Sequence, residues 1–468
     1  MIRGRFMPSS SVPTNSSVFP IAPVIRARSA QRHESSVPFW GLMFFTFILF
    51  ITPQTFLPIL GTLRIAMVTA GLALVVYVLD RLSSRRALSV DVPAVRLLFC
   101  FVALAGVSIP FSLWPGGSFE AFSGMLLKSL LIFVLVANTV NTVRRMKLMI
   151  GSMAVWSILM SRTAIQSFSQ GDLAMRGIRI AGYESPLAGN PNDLALILNL
   201  VLALLVGLYY ATPRGTLKWV VLTAVGLSVA AVVVTFSRAG FLTLLVIVAM
   251  VVIKRTRERG PAVLALALVA LLVALPVLPQ GYVARLSTIV DTQADSTGSA
   301  TARWDGMVYA WNTILHHPIL GVGLKMNTLD IVDQAGNWHW TEVHNVYLAI
   351  GADLGLPALT LYLLAMWHLF KGIRGSMRGL REASGAQELL ALGTGIRTAL
   401  VAFCVAAFFH PVAYHFYFFY IAGLAVAFTQ ITKRAHAQTR GRGEGEGRVL
   451  GGRWWARKMR VGPPGVKG

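Results

Sequence analysis

Acidic residues are scarce in this chain: 19 Asp and Glu stand against 42 Lys and Arg, and all charged residues together make up only 13% of its 468 residues. A soluble domain carries about a quarter of its residues charged, so a mostly soluble protein is excluded. Cysteine is nearly missing. Cys100 and Cys404 both lie inside apolar runs, which leaves no disulfide framework and no metal–thiolate site. No His, Cys or carboxylate set has ligand spacing, and a soluble metalloenzyme fails on that ground. The first 38 residues are rich in Ser, Pro and Arg and lack the apolar core of a cleaved signal peptide. They read as a disordered, basic, cytoplasmic tail.

What the chain has instead is apolar length. Hydrophobic residues make up 55% of it, and the mean hydropathy is +0.65. Apolar runs fall at roughly 39–52, 61–79, 94–111, 123–140, 147–165, 190–210, 217–235, 239–253, 261–279, 343–370, 388–410 and 413–431. Many reach the ~17–25 residues that a helix needs to cross hydrocarbon. The expectation is therefore an all-α, polytopic membrane protein with about twelve spans. Residues 39–279 hold nine of them, 280–342 form one long outer loop, 343–431 hold three more, and 432–468 form a basic tail.

The cations then orient it. Alternate linkers hold Arg81, Arg85 and Arg86; Arg144, Arg145 and Lys147; Arg214 and Lys218; Lys254, Arg255, Arg257 and Arg259; and Lys371, Arg374, Arg378 and Arg381. Positive linkers stay in the cytoplasm, so both termini are expected inside and the long loop outside, in the periplasm. The net charge of +23 then reflects orientation and attraction to anionic lipid, and nucleic acid is not an expected partner.

Cations on the outer side go against this rule, and each needs a reason. They are Arg176, Arg179, Arg238, Arg285, Arg303 and Lys325. In the long loop Trp304, Met307, Val308, Trp311, Ile314 and Leu315 recur at helical spacing, stopped by His316-His317-Pro318. An amphipathic helix at the outer interface is expected there, with Thr301 as its cap and Arg303 at the edge of one apolar stripe. Position alone leaves Arg303 open between a phosphate ligand and a snorkelling interfacial cation. Arg238 lies where one apolar run ends and the next begins almost without a linker, a costly place for a charge unless a polar cavity or partner faces it. His344 opens the tenth run, after Gly321-Val322-Gly323 and Asn337-Trp338-His339-Trp340. A lone histidine at a helix entrance is more often a satisfied polar residue. The tryptophans decide nothing by themselves, because aromatic faces both stack on sugars and anchor at interfaces.

Four stretches together carry a resemblance. They are Gly189-Asn190-Pro191-Asn192-Asp193; Ser237-Arg238-Ala239-Gly240; Arg303 followed by Trp311 and His317-Pro318-Ile319-Leu320-Gly321-Val322-Gly323; and His344-Asn345-Val346-Tyr347-Leu348 followed by Asp353-Leu354-Gly355. In order, spacing and membrane side, over roughly residues 40–430, the chain resembles the O-antigen ligase and polymerase family of bacterial surface-polysaccharide assembly. That resemblance implies an inverting membrane glycosyltransferase of the GT-C-like kind, in the bacterial inner membrane, with its active face in the periplasm. It implies a polyprenyl-diphosphate-linked glycan donor, and a glycan, lipid A–core or protein hydroxyl as acceptor, with no cofactor and no metal. Arg238 and Arg303 would hold the diphosphate and His344 would take the acceptor's proton. Arg179, Asn192, Lys325, Trp338 and Asn345 would bind substrate. Polymerase and ligase differ only in acceptor and stay open. A transporter would place ionisable groups in mid-membrane, where Arg397 is nearly alone. A haem-handling protein would need paired outer histidines, for which only His410 and His415 offer themselves.

Overall fold

The computed structural model describes residues 36–458, apart from 56, 58, 63–64, 86, 174–178, 186, 275, 277, 280, 288–298, 328, 333–337 and 382–384. Residues 1–35 of the basic N-terminal tail, Arg176, and the end of the C-terminal tail lie outside the described residues.

The described chain is helical throughout, save for one small hairpin. We number the main helices α1 Val37–Ile51, α2 Ile65–Ser83, α3 Pro93–Ser108, α4 Pro115–Thr139, α5 Val143–Ser169, α6 Pro191–Ala211 and α7 Thr216–Val234. They continue as α8 Arg238–Arg259, α9 Ala262–Ala274, α10 Tyr282–Ser287, α11 Ser299–His316, α12 Val346–Arg381, α13 Gln387–Ala406 and α14 Phe416–Lys458. Nine of the described helices, α3 to α8 and α12 to α14, have segments long and apolar enough to span a membrane. The protein is an all-α, multi-pass membrane protein.

Two runs expected to cross form shorter helices. α1 has 15 residues and stops at Thr52, which adopts a left-handed φ of 52° ahead of Pro53. The run expected to cross over 261–279 yields only the 13 residues of α9, because Pro276 and Pro279 end it.

α6 is the axis of the bundle. It is apolar on every side, and 83% of its most apolar stretch is buried, against 28% for α8. A helix hydrophobic all round belongs in the centre. It meets α13 at Gly207 and Gly395, where a Cβ on Gly207 would stand 2.8 Å from the Gly395 Cα and from the Ala391 carbonyl oxygen. Small residues permit this approach, and dispersion and close packing, not hydrophobic exclusion, hold such helices together in lipid.

α12 is not one straight helix. Gly355 lies inside it at φ 79° and ψ 175°, just before Pro357. The break receives the loop that follows α11. Val322 N donates to the Ala352 carbonyl and Gly323 N to the Asp353 carbonyl, each at 2.9 Å, while Leu356 N donates to the Pro318 carbonyl at 2.8 Å. The backbone groups that the break frees are thus satisfied by a second segment, as low-dielectric surroundings require. β1 (Leu329–Val332) and β2 (Trp338–Thr341) pair antiparallel beyond that loop.

Gly355 is a sharp test of this arrangement. A Cβ there would fall 2.3 Å from the Ile319 carbonyl oxygen, on a left-handed φ that L side chains resist. Gly355→Ala should cost about 2 kcal/mol or more and lower the melting temperature in detergent. Gly226→Ala, with nothing within 4 Å of its Cβ, should leave that temperature unchanged or raise it.

Candidate active site

The turn between α7 and α8 builds the centre of the site. Phe236 takes a left-handed φ of 52°, and Ser237 caps α8 by accepting from Gly240 N at 3.1 Å. This puts Arg238 at the first position of α8 and turns the Thr235 carbonyl inward. Gly240 lets α8 close on α6, with its carbonyl accepting from Asn199 Nδ2 at 2.9 Å.

The start of α6 supplies the second wall. Asn190 caps it, its Oδ1 accepting from Asn192 N at 2.9 Å and Asp193 N at 3.0 Å. Pro191 occupies the first turn, where its missing N–H costs nothing. The Asn192 side chain is then left to reach across. Its Oδ1 accepts from Arg179 at 2.8 Å and from the Ser237 hydroxyl at 2.9 Å. Arg179 also donates through Nε to the Thr235 carbonyl at 2.9 Å. Arg179 is therefore held at both edges of its guanidinium by the two motifs that flank it.

α10 adds a cation. Its Tyr282 is buried edge-on against Phe236 and Phe241, with ring centroids 5.4 and 6.3 Å away. Arg285 projects from the next turn. α11 adds another. The single apolar stripe expected on this helix divides into two rows. Trp304, Val308, Trp311 and Leu315 are exposed, as lipid-facing residues are. Ala310 and Ile314 are buried, Met307 is partly buried, and Arg303 begins that same inward row at i, i+4, i+7, i+11 spacing. Ile314 seats against Gly351 of α12, where a Cβ would meet it at 2.7 Å. Arg303 thus points into the protein and does not snorkel from the lipid face. The helix starts at Ser299, so Thr301 lies within its first turn and is not its cap.

Arg285, Arg303 and Arg238 all act on Arg179 through space. Burial and then these three cations, in that order, bring its guanidinium down to about 10. At neutral pH Arg179 remains charged. Guanidiniums gathered in this way suit a polyanion such as a diphosphate.

His344 stands beside this cluster. Burial, and then Arg303, lower its pKa below the usual imidazole value. Its Nδ1 lies 2.8 Å from the Glu342 carbonyl. A carbonyl can only accept, so the neutral ring carries its proton on Nδ1 and leaves Nε2 bare. His410, on the loop after α13, is fully buried, brought down to about 4 mainly by that burial, and lies within electrostatic reach of both Arg303 and His344. Its Nε2 is 3.2 Å from the Asn192 carbonyl and its Nδ1 2.9 Å from the Ala406 carbonyl.

The remaining expected residues divide. Lys325 pairs with Glu342, Nζ to Oε1 3.1 Å, on the carboxylate side of His344. Asn345 is used structurally: its Oδ1 caps α12, accepting from Tyr347 N at 3.0 Å and Leu348 N at 3.1 Å. Trp338 belongs to β2, but its side chain lies outside the described residues. From the sequence, Arg285 counted among the expected outer cations without a site role, His410 figured only as a possible haem ligand, and Asp353 only as part of a motif. The signal for Arg285 was present, since it is a cation in a segment where the orientation rule expects few. Among the described residues no three of His, Cys, Asp and Glu converge as a metal-holding group.

No curated protein matches the chain. A solved chain, described with the words "Structural coordination of polymerization and crosslinking by a peptidoglycan synthase complex", is 17% identical at a TM-score of 0.41, covering 74% of this chain and 97% of that one. The family model described as O-antigen ligase matches residues 223–363. That stretch contains Arg238, Arg285, Arg303 and His344, whereas Arg179 and Asn192 lie ahead of it. Over residues 223–363 the chain is thus similar to the O-antigen ligase family, and that similarity supports a glycosyltransferase-type membrane enzyme with a lipid-linked glycan donor.

Proposed function

We propose that the protein is an O-antigen ligase-type transferase of the bacterial inner membrane, moving a glycan from undecaprenyl diphosphate to an acceptor hydroxyl on the periplasmic face. The observation that carries this reading is the convergence of Arg179, Arg238, Arg285 and Arg303 beside a neutral His344. A lipid diphosphate brings several negative charges into the cluster and relieves its repulsion. Arg238 and Arg303 grip its oxygens as planar forks. Arg179 is set in place by Asn192, and Arg285 completes the positive wall.

Chemistry follows from this placement. The acceptor oxygen attacks the anomeric carbon from the face opposite the diphosphate, and the bond from that carbon to the diphosphate oxygen breaks. His344 Nε2 takes the hydroxyl proton, and the Nδ1–H bond to the Glu342 carbonyl steadies the imidazolium that results. The electron pair leaves with the lipid diphosphate, whose growing charge the guanidiniums stabilise without a metal ion. The configuration at that carbon inverts. The Lys325–Glu342 pair borders the acceptor side, where lipid A–core, another glycan or a protein hydroxyl would approach. The alternating positive linkers support an orientation with both termini in the cytoplasm.

The first test concerns the clamp. Purified protein in detergent, given carrier-linked glycan in a buffer containing EDTA, should transfer at its full rate. Arg303→Lys keeps the charge and loses the fork, and Arg238→Ala removes both. Each should lower the rate about a hundredfold. Normal rates in both variants, or activity that dies in EDTA and returns with magnesium, would move the role elsewhere.

A second test uses pH. His344 must be neutral to accept a proton, and burial holds its pKa below 6.5. Activity should therefore hold through the ordinary imidazole range and fall only on further acidification. An acid limb centred above 6.5 would exclude His344 as the base.

The acceptor can be settled in cells. Without a ligase, long polymer should accumulate on the carrier while its final acceptor stays bare. Without a polymerase, the acceptor should still receive a single repeat. Sizing both pools in a deletion strain separates the readings, and unchanged pools would favour a transporter. The ligase reading is preferred because the length of the loop over 280–342 offers room for a bulky acceptor.

A further inference from the structure

At the opposite ends of α8 and α12 from the arginine cluster, these helices and the start of α13 enclose a cavity of about 410 Å³. Its charged lining is Lys254, Arg257, Arg381 and Arg397, against one carboxylate, Glu258. That carboxylate is already engaged by Arg255 at 2.8 Å and stands 3.8 Å from Lys254. Arg255 itself is turned aside, over the ring of Tyr210, 3.6 Å from its centroid.

Arg397 is the group that needs an explanation. It lies ten residues into α13, about 15 Å from the start of that helix at 1.5 Å per residue. Its Nε is buried and, among the described residues, has no hydrogen-bond partner. Arg381 and Arg374 bear on it as further positive charges. Nearby, Lys254 Nζ reaches Thr394 Oγ1 at 3.0 Å. A guanidinium at such depth, among other cations, is expensive unless an anion meets it.

The other walls are apolar. Met250, Met377 and Leu390 line the cavity beside the cations. A free phosphate has no use for them, but an acyl chain does. Arg257 and Arg381 are exposed at the mouth, while Lys254 and Arg397 sit deeper. This is the layout of a headgroup site between helices, with charge around a phosphate and methylenes below it.

We propose that this cavity binds one anionic phospholipid, its phosphate among Arg397, Lys254, Arg381 and Arg257 and an acyl chain along Met250 and Met377. The site is separate from the transfer centre and does not rest on the reading of that centre. It holds a structural lipid at the junction of α8, α12 and α13, where cations would otherwise repel one another.

Native mass spectrometry of the full chain, delipidated and then supplied with equal amounts of phosphatidylglycerol and phosphatidylcholine of the same acyl composition, tests this. Phosphatidylglycerol should be retained at least about tenfold better, the difference one charged contact makes. Arg397→Gln should reduce that retention about tenfold. Arg257→Gln combined with Arg381→Gln should do the same, and both positions are exposed, so folding is not at stake. Equal retention of the two lipids, or unchanged phosphatidylglycerol binding in both variants, would overturn the proposal. Millimolar inorganic phosphate is the third arm. If it binds and raises the melting temperature as much as the lipid does, the site recognises free phosphate and the lipid assignment is wrong.

Discussion

Asp353 is a carboxylate buried completely inside a helix that breaks two residues later. One of its oxygens accepts from Lys325 N at 2.9 Å, Asn327 Nδ2 at 2.8 Å and the Tyr414 hydroxyl at 2.9 Å. Taking a carboxyl group out of water is costly, and the three hydrogen bonds offset part of that cost. The bonds work only if α12, the loop after α11 and the loop before α14 all meet at this point. Glycine makes the meeting possible, since a Cβ on Gly321 would stand 2.3 Å from the Asp353 carbonyl. Much of the architecture around the arginine cluster depends on this clasp.

Its consequences run outward along the chain. Asn327, held by Asp353, also accepts from Val343 N at 3.2 Å through its Oδ1, and so locates the approach to His344. The loop from Pro318 fixes where α11 ends, and Ile314 against Gly351 fixes how α11 is turned. Together they aim Arg303 inward. On the far wall, the Asn190 cap and the Phe236 turn do the same for Arg179 and Arg238. The arginines and His344 are thus positioned by backbone junctions and packed side chains. A rigid first position is what charge stabilisation in a transition state requires.

The same two helices join two charged regions of opposite setting. α8 starts with Arg238 and ends in the lining of the basal cavity, and α12 starts behind His344 and ends at Arg381. At one end the cations gather beside a neutral His344. At the other end they crowd a pocket with methylene-lined walls. Guanidinium serves both, because it stays charged when partly buried and presents a flat fork to phosphate oxygens.

Much of this was legible from residues alone. Apolar length determined a helical membrane protein, the orientation rule flagged Arg179, Arg238, Arg285 and Arg303 among six cations, and the resemblance chose Arg238 and Arg303 from them. Motif order led to the family and to His344. Other features were not legible, for a common reason. Helical periodicity tells which residues share a face, but not what stands opposite that face. It therefore drew one stripe on α11 where there are two rows, and left Arg303 between lipid and protein. It ranked Asn345 with the binding residues and did not reveal that its oxygen caps α12. It read 261–279 as a full crossing, although the prolines end α9 early. Arg285 and His410 join the site only because Tyr282 packs on Phe236 and because the loop after α13 returns to Asn192. Those encounters link positions far apart in the chain. The sequence by itself determined the membrane fold and the kind of groups present. Which of those groups meet was decided by the tertiary packing, since a buried charge or carbonyl accepts only the partner that the surrounding helices bring within reach.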